Sequence, residues 1–141
     1  MLEYHIPTHR ELVDWYYQMQ GWNDDEEPCA GDFARNTLAH CVPFLICRNG
    51  VPLCLFTLYD FECGSCMCCV YLFRRDLGVW RAFPQMLRRI FAESGLYEIN
   101  ATISVRKENS LRIARKIGFR EVGKSEYTRF LTITAKEVYN G

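Results

Sequence analysis

Two stretches of the chain, VPLCLFTLY (51–59) and CMCCVYLF (66–73), are apolar without alternation. Such runs mark central strands covered on both faces, so the sheet that holds them carries helices on each side. A further apolar run, PFLIC (43–47), precedes the first of them across Asn49-Gly50, the strongest short-range hairpin signal. Cys63-Gly64-Ser65 supplies the next turn. Elsewhere the period changes to that of a helix. Thr8-His9-Arg10-Glu11 fits a capping box, and Leu12, Trp15, Tyr16 and Met19 then share one side of a helix ending before Gly21. Val79, Phe83, Met86/Leu87 and Ile90/Phe91 recur at the same spacing. Pro84 is tolerable only in a first turn, which starts that helix around Trp80–Phe83, and Gly95 ends it.

The remaining segments are shorter. Tyr4–Ile6 reads as a first strand, and the acidic NDDEEPCAGDFARN (23–36), broken by Pro28 and Gly31, as a surface loop with a turn of helix. Tyr97, Ile99, Ala101 and Ile103 alternate, predicting a strand half-exposed or near an edge. A short helix with Leu111, Ala114 and Ile117 inward stops at Gly118 in the left-handed conformation. Two last strands follow, Phe119–Val122 and Tyr127–Thr134. The order predicts one α/β (α+β) domain over 1–141, with a mixed, mostly antiparallel sheet of about six or seven strands and helices on both faces.

With 49% hydrophobic residues the chain has material for a sizeable core. No apolar run reaches the roughly 20 residues that span a bilayer, and the N-terminus has no export pattern; the expectation is a cytoplasmic protein with reduced cysteines. Cys63, Cys66, Cys68 and Cys69 resemble a metal knuckle. On a strand, however, Cys66 and Cys68 share one face while Cys69 points to the other, so no metal site is expected. Net charge is zero but uneven: residues 1–70 hold three Lys/Arg against ten Asp/Glu, and residues 71–141 fourteen against seven. Either the basic half meets an anion, or the halves attract each other across the fold. No nucleic-acid motif accompanies the basic half.

Residues 107–123, KENSLRIARKIGFREVG, pass from a helix through Gly118-Phe119 to a strand closed by Gly123. Ser110, Lys116, Gly118, Phe119 and Gly123 fall on a pattern that resembles the helix–strand signature of the GNAT superfamily of acyl-CoA-dependent N-acetyltransferases. The chain looks like a compact, phage-type GNAT-like protein. The resemblance implies transfer of an acetyl group from acetyl-CoA to an amine on a small molecule or protein, with the cofactor's pyrophosphate held where the fourth strand gives way to the third helix. It names Leu72, Phe73, Arg74, Arg75, Gly78, Val79 and Asn109 as cofactor-binding. Glu62 is nominated as base, with Asp60 beside it, and Tyr127 as acid. The family's sheets often pair across their last strands, which implies a homodimer. The chain departs from the pattern at three positions: Trp80 stands where a second glycine belongs, Lys107 in place of an asparagine, and Ala114 in place of a tyrosine. These departures leave a second expectation open, a non-catalytic GNAT-fold scaffold or binding module such as a virion or head-assembly component.

Overall fold

The computed structural model describes residues 2–19, 30–72 and 78–140. The elements are β1 (Leu2–His5), α1 (His9–Met19), α2 (Ala30–His40), β2 (Val42–Arg48), β3 (Val51–Glu62), β4 (Ser65–Leu72), a 3-10 turn (Val79–Ala82), α3 (Phe83–Ser94), β5 (Glu98–Ser104), α4 (Glu108–Ile117), β6 (Arg120–Lys124), β7 (Thr128–Thr134) and α5 (Ala135–Asn140). One seven-stranded sheet runs in the order β1-β2-β3-β4-β5-β7-β6. All neighbours are antiparallel except β4 and β5. The expected sheet and its two helical layers are therefore present.

Local chemistry explains the joints. The Thr8 hydroxyl accepts from the Glu11 N–H at 3.2 Å while Glu11 accepts from the Thr8 N–H at 3.0 Å, the predicted reciprocal cap. Asn49 and Gly50 have φ of 52° and 80°, as a two-residue hairpin requires, and Cys63 and Gly64 repeat the device at 49° and 81°. Leu12, Trp15 and Ala34 from α1 and α2 pack on Leu45, Cys47 and Leu55 of one sheet face. The larger core lies on the opposite face, where Phe83, Met86 and Leu87 of α3 and Leu111 and Ile117 of α4 meet Phe56, Cys68, Ile99 and Ile133.

Several expectations need correction. The first strand is Leu2–His5, and Ile6 lies beyond it, exposed. Residues 30–36 of the expected acidic loop belong to α2, three turns long; residues 23–29 lie outside the described residues. Its buried stripe, Ala30, Ala34 and Thr37, is too small and too polar to show as hydrophobic periodicity. β5 is half-exposed, one of the two alternatives expected for it, and lies between β4 and β7 rather than near an edge. It alternates because one of its faces is core while the other carries Asn100 and Thr102 into polar surroundings. β3 is buried continuously from Leu53 to Leu58, as predicted, whereas β4 buries Cys66 and Cys68 but leaves Met67, Cys69, Val70 and Tyr71 half-exposed. Gly118 does have positive φ, but at 122° it lies outside the left-handed helical region. Helix α5 had no counterpart in the sequence reading.

Candidate functional site

β4 and β5 pair over three positions only: Ser65 with Glu98, Cys66 with Ile99, and Met67 with Asn100. Beyond that rung β4 continues to Leu72 and β5 to Ser104 without pairing each other, while both keep their outer partners, β3 and β7. The sheet parts in a V. A polar knot sits at its apex. The Asn100 amide nitrogen donates to Ser65 Oγ at 2.9 Å and more weakly to the Cys66 carbonyl at 3.4 Å. Asn100 Oδ1 accepts from Thr132 Oγ1 at 2.7 Å, and Glu98 accepts from Ser65 Oγ at 2.9 Å. Side chains from β4, β5 and β7 thus take over where backbone pairing ends.

Between the diverging strands lies a cleft of about 240 Å³. Ile113, Ala114, Ile117 and Phe119 line it on the α4 side; Tyr59, Cys69, Thr102 and Ser104 line it from strands whose side chains point to the other face. The cleft therefore passes through the sheet. Along a strand, peptide groups face alternate neighbours. The Cys66 carbonyl turns toward β5, where Asn100 reaches it, so the peptide groups of Cys68 and Val70 face the same way, into the gap. Their N–H groups are thereby aimed at the cleft. Lys107 and Ser110 bring the first turn of α4 to its wall.

Burial pushes the Tyr59 phenol above its ordinary range, and the thiols of Cys69 and Cys68 add to the shift. Burial raises Tyr71 well above its usual value, with the Cys69 sulfur, to which it is hydrogen-bonded, contributing. Both are protonated donors at neutral pH. Cys66 is pushed up to about 12 by burial, and no group of three or more metal-ligating side chains occurs among the described residues.

The predicted site residues fall in different places. Phe73, Arg74 and Arg75 lie outside the described residues, and Leu72 ends β4 opposite Cys54. Gly78 precedes the 3-10 turn, and Val79 is 1% exposed, a core side chain. Asn109 is exposed and does not line the cleft; its neighbours Lys107 and Ser110 do. Glu62 is exposed and pairs with Ser65 at the closed end of the V. At about 3.3 Å per residue that is roughly 13 Å along β4 from Cys69. Asp60, on the same hairpin, is also exposed. Tyr127 is 60% exposed, and its carbonyl accepts from the Val105 N–H at 2.9 Å, beyond the end of β5. The sequence reading missed Tyr59, Cys69, Thr102 and Ser104; they come together only because two strands separate.

Trp80 does not stand out from its loop. It is half-buried against the main core, with Arg81 and Lys116 over its ring at 5.7 and 5.8 Å from the centroid.

No family model matches the chain, and no curated protein matches it. Solved structures do. RimJ of Mycobacterium smegmatis in complex with CoA-disulfide aligns with a TM-score of 0.76 at 17% identity, over 96% of this chain and 83% of that one. Ribosomal-protein-S5-alanine acetyltransferase from Vibrio fischeri gives 0.77 at 10% identity, over 95% and 93%. Aminoglycoside acetyltransferase AAC(6')-Ib in complex with coenzyme A and kanamycin gives 0.76 at 14% identity, over 99% and 98%. The fold is that of the GNAT acetyltransferases.

Proposed function

We propose that the through-sheet cleft is the site of an N-acetyltransferase, taking an acetyl group from acetyl-CoA to an amine. The observation that carries the reading is the parting of β4 and β5 after three rungs, which opens a passage reached from both faces. Two of the similar solved structures hold the cofactor, one as CoA-disulfide and one as coenzyme A together with kanamycin. Acetyl-CoA brings an activated thioester carbonyl. The chain's own groups suit what that carbonyl needs. The gap-facing peptide groups of β4 supply N–H donors for a carbonyl oxygen on which charge develops. The apolar α4 wall excludes water from the donor side. On the other face, the Thr102 and Ser104 hydroxyls border an entry for the acceptor, which attacks as the free amine; the C–N bond forms as the C–S bond breaks, and the proton lost from nitrogen is passed to the solvent open to that face. The hydroxyl of Ser110, on the α4 wall of the cleft, is a donor for the departing thiolate. This reading leaves Glu62, at the closed end of the V, and the exposed Tyr127, outside the cleft lining, without a proton step.

Titration of acetyl-CoA, followed by calorimetry and thermal unfolding, tests it. At a hundredfold excess over Kd, binding stabilises the fold by about 2.7 kcal/mol. For 141 residues at about 2.1 cal/mol/K each, the unfolding temperature rises by about 9 °C. No heat and no shift at millimolar acetyl-CoA sinks the reading. That result favours the non-catalytic scaffold, for which the substituted start of α3 is the supporting observation.

A further inference from the structure

The cleft carries an amine of its own. The chain has four lysines, Lys107, Lys116, Lys124 and Lys136, and all four are exposed. Of these, Lys107 alone is among the residues that line the cleft, with Ser110 three positions on and with Cys68 and Val70, whose peptide groups face the gap. Its backbone is fixed at that wall. The Lys107 N–H donates to the Ser104 carbonyl at 3.0 Å, and the Leu111 N–H to the Lys107 carbonyl at 3.0 Å. Its ammonium has no hydrogen-bond or ion-pair partner among the described residues, and its four-carbon stem is flexible. Lys107 is also the N-cap of α4, without a side-chain cap bond. A cation therefore stands at the positive end of the helix dipole, where positive charge is disfavoured. The other three lysines sit elsewhere: Lys116 lies over the Trp80 ring, Lys124 ends β6 and Lys136 belongs to α5.

Resting on the acyl-transfer reading above, we infer that Lys107 is a self-acetylation site: with no external amine at the cleft, the acetyl group passes to Lys107 of the same molecule. Lys107 Nζ attacks as the free amine. Its C–N bond to the acetyl carbon forms as the C–S bond breaks, CoA leaves as the thiolate, and the proton lost from nitrogen passes to solvent. An amine tethered to the wall of a cleft of about 240 Å³ meets the thioester at high effective concentration, as a freely diffusing amine does not. The product is a neutral amide, so the reaction also removes the misplaced cation from the head of α4.

The test incubates the unaltered protein with acetyl-CoA and no acceptor. Peptide-mapped mass spectrometry follows the four lysines, and calorimetry measures acetyl-CoA binding to the same protein. Lys107 is expected to be acetylated at least about tenfold faster than Lys116, Lys124 and Lys136, at a rate independent of protein concentration. Excess free CoA slows Lys107 and leaves the other three unchanged. Acetic anhydride, which has no pantetheine arm, gives Lys107 no such lead. Acetyl-CoA that binds while Lys107 only keeps pace with the other lysines overturns the inference and upholds the cleft as a thioester site. An equal lead with acetic anhydride overturns it too, because the lysine is then reactive without the cleft. A lead that grows with protein concentration assigns the transfer to a second molecule, against the inference. No binding, with the four lysines acetylated alike, overturns the acyl-transfer reading and the inference with it.

Discussion

Replacing Asn100 with leucine removes the knot at the apex of the V while keeping the side chain's approximate size. Two short hydrogen bonds vanish, to Ser65 Oγ at 2.9 Å and from Thr132 Oγ1 at 2.7 Å. Each has a net value of about 1 kcal/mol. Thr132 is buried, and its hydroxyl falls back on the longer 3.3 Å bond to the Ile99 carbonyl. That under-satisfaction brings the expected loss to about 2–3 kcal/mol. For a chain of 141 residues, unfolding entropy of about 0.3 kcal/mol/K converts this to a fall of about 7–10 °C in Tm. Urea unfolding of Asn100→Leu, Thr132→Val and the double variant measures both the loss and the coupling. Residues in one network are non-additive by about 0.5–3 kcal/mol. A loss under about 0.5 kcal/mol, or strict additivity of the two substitutions, would show that the knot does not hold the strands at their parting.

Three further outcomes are expected. Gly118→Ala destabilises by about 1–3 kcal/mol in chemical denaturation, because φ is 122° and the new Cβ would meet Ile133 Cδ1 at 3.2 Å; a neutral result contradicts the assigned backbone. In native peptide-mapped thiol labelling at mildly alkaline pH, exposed Cys63 and half-exposed Cys69 react first. Cys54, Cys66 and Cys68 lag because burial raises their thiols, and Cys66 keeping pace with Cys63 would refute this. Burial favours the neutral form of Glu137, but bonds from Thr134 and the nearby Arg120 outweigh it and hold the carboxyl below its ordinary 4.5. Its stabilising contribution is thus complete above about pH 4.5 and lost as pH falls through the lowered value. Glu137→Gln should flatten the acid limb of the stability–pH curve; superimposable acid limbs would count against the arrangement.

Elements with a strong local cause were legible in the sequence. The Thr8/Glu11 cap, the Asn49-Gly50 hairpin, Pro84 at the head of α3 and the Gly95 stop each depend on a few adjacent residues, and each is present. The misplaced features depend on distant partners. Cys69 and Tyr71 read as fully buried because CMCCVYLF is uniformly apolar, yet they are half-exposed on the part of β4 that β5 leaves after Asn100. Helix α2 hides its inward stripe in alanine and threonine. The same cause limited the site. Ser110 was visible as part of a motif, whereas Tyr59 and Thr102 carry no motif and meet only across the gap. Trp80 was noticed for its identity, but its position beneath Lys116 could not be read without α4 in place.

The uneven charge now has an anatomical meaning. The seam at which β4 and β5 part divides the sheet into a four-stranded lobe, built almost wholly from the first 70 residues, and a three-stranded lobe from the remainder. The first stretch balances at −7 and the second at +7, from three Lys/Arg against ten Asp/Glu and fourteen against seven. The two stretches are not joined at the seam alone: Phe83 of α3 meets Phe56 of β3 edge to face at 5.1 Å, so a helix of the second stretch is bedded in the sheet of the first and one core runs beneath the parting.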